Sequence, residues 1–176
     1  LYANSIRNIT GDKNGNLFLK CHTALVCFDL KTEKTTTIRR NNVSGIYYGK
    51  EKLWFSSADS ILSYSPQTGK TPELYLTLQN KSARITALLE TNERLLYAAT
   101  TDGGIIAFDR NKKIVKQWKI NDVIKLYEDS KKNVWVCTRY SGLHKIDFSG
   151  NLVTYQNNPV NPHSLPDNFV RTICED

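Results

Sequence analysis

Several stretches of this chain carry residue types that do chemistry elsewhere, and spacing decides what each can do here. Asp12-Lys13-Asn14-Gly15-Asn16 has the alternating oxygen side chains of a calcium loop. Such a loop also needs a glycine directly after the third ligand and a glutamate further on. Leu17 and Cys21 stand at or close to those places, so the stretch reads as a polar turn. Gly69-Lys70-Thr71 matches the end of a phosphate-binding loop, but Tyr64 occupies the position of the required earlier glycine. Ser65-Pro66-Gln67-Thr68-Gly69 then reads as a turn between strands. The four cysteines, Cys21, Cys27, Cys137 and Cys174, show no metal-ligand spacing, and His22, His144 and His163 are widely separated. Residues 17–21 and 25–29 read as a hairpin with Cys21 opposite Leu25 and Cys27 opposite Leu19, a pairing unsuited to a disulfide. The cysteines are therefore expected to be small apolar strand residues, and their number leaves the redox compartment open. There is no G-x-S-x-G elbow, and no serine or cysteine has an identifiable histidine partner. No catalytic residue, no metal ligand and no cofactor is expected.

The elements that would position any site are written as a repeat. An aliphatic pair, a central aromatic and a closing hydrophobe recur as Ile6…Ile9…Phe18…Phe28-Asp29, then as Val43…Ile46…Trp54…Tyr64-Ser65. They recur again as Ile85…Leu88…Tyr97…Phe108-Asp109 and Val123…Leu126…Trp135…Ile146-Asp147, and Val170…Ile173 opens a fifth copy. A period of roughly 40 residues built from short strands implies a radial or solenoid β architecture. In the fourth unit, Val123–Tyr127, Val134–Thr138, Leu143–Asp147 and Leu152–Tyr155 read as four antiparallel strands joined by polar or Gly-containing turns. No segment has a convincing helical period. The expected fold class is all-β: four four-stranded antiparallel β-propeller blades, a fragment of a larger ring. The blades are placed at about 5–42, 43–82, 83–121 and 122–169, with a fifth beginning at 170–176. Asp29, Asp109 and Asp147 recur where the third strand ends, which marks them as turn-capping carboxylates rather than catalysts. Trp54 and Trp135 are expected in blade cores.

Composition agrees. Apolar residues make up 40 % of the 176, enough for a packed core, and no stretch has the roughly 18–20 apolar residues of a membrane span. The net charge of +7 could draw nucleic acid, anionic glycans or a membrane surface. Many of the lysines, however, fall at turns (Lys31, Lys34, Lys50, Lys52, Lys112, Lys113, Lys131 and Lys132), where a repeat fold places solvated residues. The Asn-x-Ser/Thr triplets at Asn8, Asn42 and Asn80 are best taken as chance. The opening Leu1-Tyr2-Ala3-Asn4-Ser5 is neither a methionine start nor a signal peptide, so the chain is expected to be an excised piece of a longer protein.

Within residues 122–176, Glu128-Asp129, Val134-Trp135-Val136, Thr138, Gly142-Leu143 and Asp147 closely resemble the repeat of two-component regulator propellers. Ser164-Leu165-Pro166-Asp167-Asn168, leading to Val170 and the Glu175-Asp176 turn, resembles the connector between blades of that family. The likeness is fair over 5–42. Over 43–120 it rests on spacing: Trp54 and Tyr97 hold the aromatic place, while Gly49-Lys50 and Thr91-Asn92 replace the acidic turn. WD-repeat signatures are absent. The resemblance implies the periplasmic sensor ectodomain of an inner-membrane hybrid two-component system, in which two seven-bladed propellers are stacked. It implies an oligosaccharide ligand, the remaining blades and a homodimeric full-length protein as partners, and no nucleic acid bound by this segment. Ligand would shift the propellers and the dimer, change the output of a cytoplasmic histidine kinase and control glycan-utilisation genes. The segment itself is not expected to be an enzyme. Loops entering and leaving the inner strands offer Arg139, Tyr140, Asn168 and Arg171 as ligand-binding residues, with Arg84 as an outlier. The competing reading is that Tyr140 and Asn168 shape turns and the arginines are solvated. Other readings are a protein–protein interaction scaffold and a propeller polysaccharide lyase or hydrolase.

Overall fold

The computed structural model describes residues 5–80 and 82–176. Leu1–Asn4 of the opening discussed above, and Lys81 within the Asn80 triplet, lie outside the described residues. Every regular element among the described residues is a strand, and successive groups of four strands pair antiparallel into separate sheets. The first sheet holds β1 (Ile6–Gly11), β2 (Asn16–Cys21), β3 (Ala24–Asp29) and β4 (Lys34–Arg40). The second holds β5 (Ile46–Tyr48), β6 (Leu53–Ser57), β7 (Ser60–Tyr64) and β8 (Glu73–Thr77). The third holds β9 (Ile85–Glu90), β10 (Leu96–Thr100), β11 (Gly104–Phe108) and β12 (Ile114–Lys119). The fourth holds β13 (Val123–Glu128), β14 (Val134–Thr138), β15 (Leu143–Ile146) and β16 (Leu152–Tyr155). The all-β expectation and the four-stranded plan of each unit are both met. Two compact units divide the chain, one running to Ile85 and the other spanning Thr86–Asp176.

Burial explains the sequence pattern. Burial is deepest in second strands: β10 is buried throughout, and Leu53, Trp54, Phe55 and Ser56 of β6 are buried. Fourth strands face solvent for most of their length, which is why β4 and β16 carry few buried residues. In the first unit, Phe18 and Leu25 of the first sheet pack with Ile46, Leu53, Phe55 and Leu62 of the second, and Phe18 stacks on Tyr48 at 5.4 Å. Because strand side chains alternate between faces, Leu17, Leu19, Val26 and Phe28 point to the opposite face of the first sheet, with Ile9 in register. Ile9 is 56 % exposed there.

The β2–β3 hairpin corrects one expected pairing. Its loop is His22-Thr23, which sets Lys20 opposite Leu25 and Phe18 opposite Cys27, one residue from the register read off the sequence. A one-residue change moves a side chain to the other face, so Cys27 joins Phe18 at the core while Cys21 lies opposite Ile6. All four cysteines are free. Burial, with Asp12 and Asp29 nearby, pushes the Cys27 thiol up, and burial raises Cys137 to about 11. Both therefore remain protonated at neutral pH and are poor nucleophiles.

The recurring carboxylates close turns. Asp129 Oδ1 accepts from the backbone N–H groups of Lys131 and Asn133, and Oδ2 accepts from Asn133 Nδ2 and Trp135 Nε1, both at 2.8 Å. Asp12 does the same with Asn14 and Asn16, and Asp147 with Asn151. All three turns are Asp-x-x-x-Asn, with the residue before Asn at positive φ (Gly15 93°, Lys132 65°, Gly150 91°). This is the geometry of a short hairpin loop that ends in a left-handed residue. The Asp12 stretch is thus a turn whose oxygens are already engaged. Trp54 is buried as expected. Trp135 is only half-buried, stacked on Tyr155 at 5.8 Å with Lys145 over its ring, because its indole is drawn to the Asp129 turn.

Burial on its own would raise the Asp129 pKa, but the bonds from Asn133, Trp135 and Lys131 outweigh it and hold the group below its ordinary 3.8. A lowered carboxylate stabilises the fold above the unfolded value, and that contribution is lost as pH falls through the folded value. Asp129→Asn should therefore cost about 1–2 kcal/mol at pH 7, measured by chemical denaturation. The difference from wild type should narrow as pH drops below 3.8.

Candidate functional site

In the fourth sheet, the start of β13, the β14–β15 turn and the connector that follows β16 meet at one end. Three backbone bonds hold them together: Arg139 N to Asp122 O, Gly142 N to Asn168 O and Val170 N to Thr138 O, each 3.0 Å. Gly142 is obligatory in this arrangement. It has φ of 81°, and a Cβ built there would stand 2.2 Å from Tyr155 O, so any larger residue would force the end of β16 away. The connector is internally braced as well, since Asn157 Nδ2 donates to Leu165 O and Pro166 O.

This geometry gathers the four residues chosen from the sequence. Arg139 and Tyr140 form the exposed crest of the β14–β15 turn, Tyr140 being 67 % exposed. The Val170–Thr138 bond sets Arg171 on the segment beside them. Arg171 is exposed, with its guanidinium carbon 4.9 Å from the centre of the Phe169 ring. Asn168 is committed to structure: its Oδ1 accepts from Asn157 N at 2.7 Å. Arg84, the outlier, is exposed in the first unit, ahead of β9. Phe169 was missed by sequence reasoning. Its signal was its place two residues before Arg171, which in an extended segment puts both on one side.

A second feature beneath this crest corrects the expectation that no serine has a histidine partner. Ser141 Oγ lies 3.0 Å from His144 Nε2, and Thr154 Oγ1 lies 2.9 Å from His144 Nδ1. Ser141 Oγ also donates to Thr138 Oγ1, which donates in turn to Gly142 O. The β14–β15 turn folds Ser141 back over β15, so two residues three apart in sequence meet. Register then places Thr154 directly across from His144. The chain of hydroxyls ends on threonine at each side, without the carboxylate that orients the histidine of a hydrolase triad. His144 is buried, and burial lowers its pKa, so the imidazole is a neutral link in a closed hydrogen-bond chain.

No family model and no curated protein matches the chain. Solved structures do. Two crystal structures of the extracellular domain of BT4673 from B. thetaiotaomicron are similar to it, one described as a one component system and the other as a hybrid two component system. The first has a TM-score of 0.80 at 19 % identity over 97 % of this chain. The second has 0.76 at 18 % over 94 %. The fold is that of β-propeller blades. The chain spans only about a quarter of those domains, 25 % and 24 % of their lengths. Virginiamycin B lyase from Staphylococcus aureus is also similar, with TM-score 0.70 and 16 % identity, over 89 % of this chain and 56 % of the lyase. A chain of the mitotic checkpoint complex likewise has TM-score 0.70, with 11 % identity, over 89 % of this chain and 55 % of its own length. One blade plan thus serves sensors, enzymes and assemblies, and function has to be argued from the site.

A histidine with a lowered pKa stabilises the fold while it stays neutral. Below pH 6.5 the unfolded chain takes up a proton that folded His144 resists, so its contribution is lost as pH falls from 6.5 through the folded value. His144→Gln, whose amide can still bond the two hydroxyls, should remove that loss. The melting temperatures of wild type and variant at pH 7 and pH 5 check this, the wild type falling further.

Proposed function

We propose that the chain is part of the extracytoplasmic sensor domain of a hybrid two-component system, recognising an oligosaccharide and signalling to a cytoplasmic histidine kinase that controls glycan-utilisation genes. The observation that carries the reading is the likeness to the BT4673 extracellular domain over 97 % of the chain. The residues that resemble two-component regulator repeats support it. Glu128, Asp129, Thr138 and Gly142 each have a defined part in joining one blade to the next or closing a turn. The ligand face proposed here is the crest of the fourth sheet, where Tyr140 offers an exposed ring and Arg139 and Arg171 offer planar donors suited to sugar hydroxyls. The domain would lie in the periplasm, within a homodimeric inner-membrane protein. A sugar bound there transmits a signal only by favouring one arrangement of the receptor over another.

The lyase likeness and the Ser141–His144 pair favour catalysis as a second reading. It is the weaker of the two because both imidazole nitrogens are engaged by hydroxyls under the crest. A thermal-shift screen of the intact protein against neutral and sulfated oligosaccharides separates the readings. Sensing predicts a selective rise in melting temperature with the oligosaccharide recovered unchanged; turnover of the stabilising sugar would transfer the case to an enzyme. Tyr140→Ala and Arg171→Ala should each weaken binding about tenfold, roughly 1.4 kcal/mol, with little change in the melting temperature of the free protein. Unaltered affinity in both variants would move the sugar site elsewhere.

A further inference from the structure

The crest of the fourth sheet holds two guanidinium groups open to solvent. Arg139 and Arg171 are exposed, and among the described residues no carboxylate forms an ion pair with either. Carboxylates are nevertheless at hand. Asp122, itself exposed, gives its backbone oxygen to Arg139 N, and Asp167 precedes Phe169 in the connector. Asp167 Oδ1 accepts from Phe169 N at 2.7 Å, so this carboxylate shapes the connector.

Backbone bonds bring an aromatic ring to the same place. Asn168 O accepts from Gly142 N, and Val170 N donates to Thr138 O. Phe169 lies between these two bonds, beside the turn that carries Arg139 and Tyr140. Its ring is 40 % exposed, and the Arg171 guanidinium carbon stands 4.9 Å from the ring centre. An arginine seated on an aromatic ring is held by cation–π attraction and still has its planar fork of donors to offer.

These groups together select among ligands. A bare inorganic anion meets Asp122 and Asp167 as well as the arginines, and has no use for the rings. A neutral sugar can use the rings but fills an arginine fork with single hydroxyls. A sugar acid uses all three features: its ring face suits Tyr140 and Phe169, its hydroxyls can donate to Asp122, and its planar carboxylate matches a guanidinium bidentately.

We propose that the crest recognises an acidic oligosaccharide through the carboxylate of a uronic acid residue. Arg171, braced on Phe169, is the principal carboxylate donor and Arg139 the second; Tyr140 and Phe169 are the platforms for the sugar rings. The inference rests on the sensor reading above and adds the class of its ligand.

Calorimetric titration of the intact protein tests it, using galacturonate, mannuronate and glucuronate oligosaccharides, each paired with its carboxyl-reduced counterpart. At least one acid should bind saturably and at least about tenfold more tightly than its reduced form. Arg171→Lys keeps the charge but loses the fork, so it should weaken the acid at least about fivefold and leave the reduced sugar within about twofold. Phe169→Leu should weaken both forms. The Lys13→Gln/Lys31→Gln pair, at exposed turns of the first sheet, should change neither by more than about twofold. Equal affinity for an acid and its reduced form, or binding of neutral oligosaccharides alone, overturns the acidic class and leaves the sensor reading standing. Equal losses in the Lys13/Lys31 control reduce the effect to general charge and also overturn it. Binding of no sugar of any kind overturns both. In the wild-type protein the guanidinium carbon resonance of Arg171 should shift with the acid and not with its reduced form. A resonance indifferent to the carboxylate overturns the inference even if the variants fail to fold.

Discussion

Adjacent blades of the second unit are fastened by a carboxylate that reaches across from the end of an inner strand. Glu128, the last residue of β13, accepts from Asn92 N in the turn of the preceding sheet at 2.7 Å. Glu175 repeats the bond to Ser130 N at 2.8 Å and adds Ser130 Oγ at 2.6 Å. Each glutamate is followed by an aspartate in the sequence, and in the fourth sheet that Asp129 organises the turn of its own blade. The Glu-Asp pair is therefore a division of labour: one carboxylate holds the neighbour and the next holds the local turn. Side-chain packing fixes the separation of two short sheets better than their slide along the strand direction, which a bond to a backbone N–H restrains. Lys132 and Glu93, 2.7 Å apart, and Trp118 Nε1, bonded to Gly150 O at 3.0 Å, complete the same junction.

Most of this was legible because strand period and turn chemistry are local. Val123, Val134, Leu143 and Leu152 begin strands where alternation and polar punctuation said they should. The aspartates cap turns because their spacing to Asn is set by the turn itself. What failed was whatever depended on a count of one residue. The His22-Thr23 loop shifted the β2–β3 register by one and exchanged the partner of Cys27. Ser141 and His144 lie three apart, a spacing that in a strand puts side chains on opposite faces. The turn between them removes that rule. Phe169 was passed over because a connector of prolines and asparagines gives no periodicity against which an aromatic stands out.

The setting of Arg39 Nε, buried and without an acceptor among the described residues, was illegible for a different reason. Sequence gives charge and order, whereas burial of one nitrogen depends on which residues the adjoining strand and the facing sheet bring to it. Leu25 and Ser57 supply that setting, and they lie 14 positions before Arg39 and 18 after it.

The two ends of these sheets are closed by different chemistry, and that difference bears on where a ligand can bind. Several turns between first and second strands, and between third and fourth, are tied by carboxylates, namely Asp12, Asp29, Asp109, Asp129 and Asp147, while the β9–β10 turn is closed by the Thr91 hydroxyl. Turns between second and third strands lie at the opposite end and lean on hydroxyls, joined in the second and third sheets by the carboxylates of Asp59 and Asp102, which accept from Ser60 and Thr100. Thr138 Oγ1 donates to Gly142 O, and Thr100 Oγ1 donates to Gly104 O in the equivalent place. A carboxylate that closes a turn is fixed negative charge, present for structural reasons in every unit that uses it. An anionic ligand approaching that end meets it repeatedly. A hydroxyl does the same mechanical work without net charge, so the residues around it are free to set the local potential. Arg39, Lys20, Arg139 and Arg171 all lie at this end of the first and fourth sheets, where no carboxylate closes the turn between second and third strands, so the local charge there is set independently of what holds the turn.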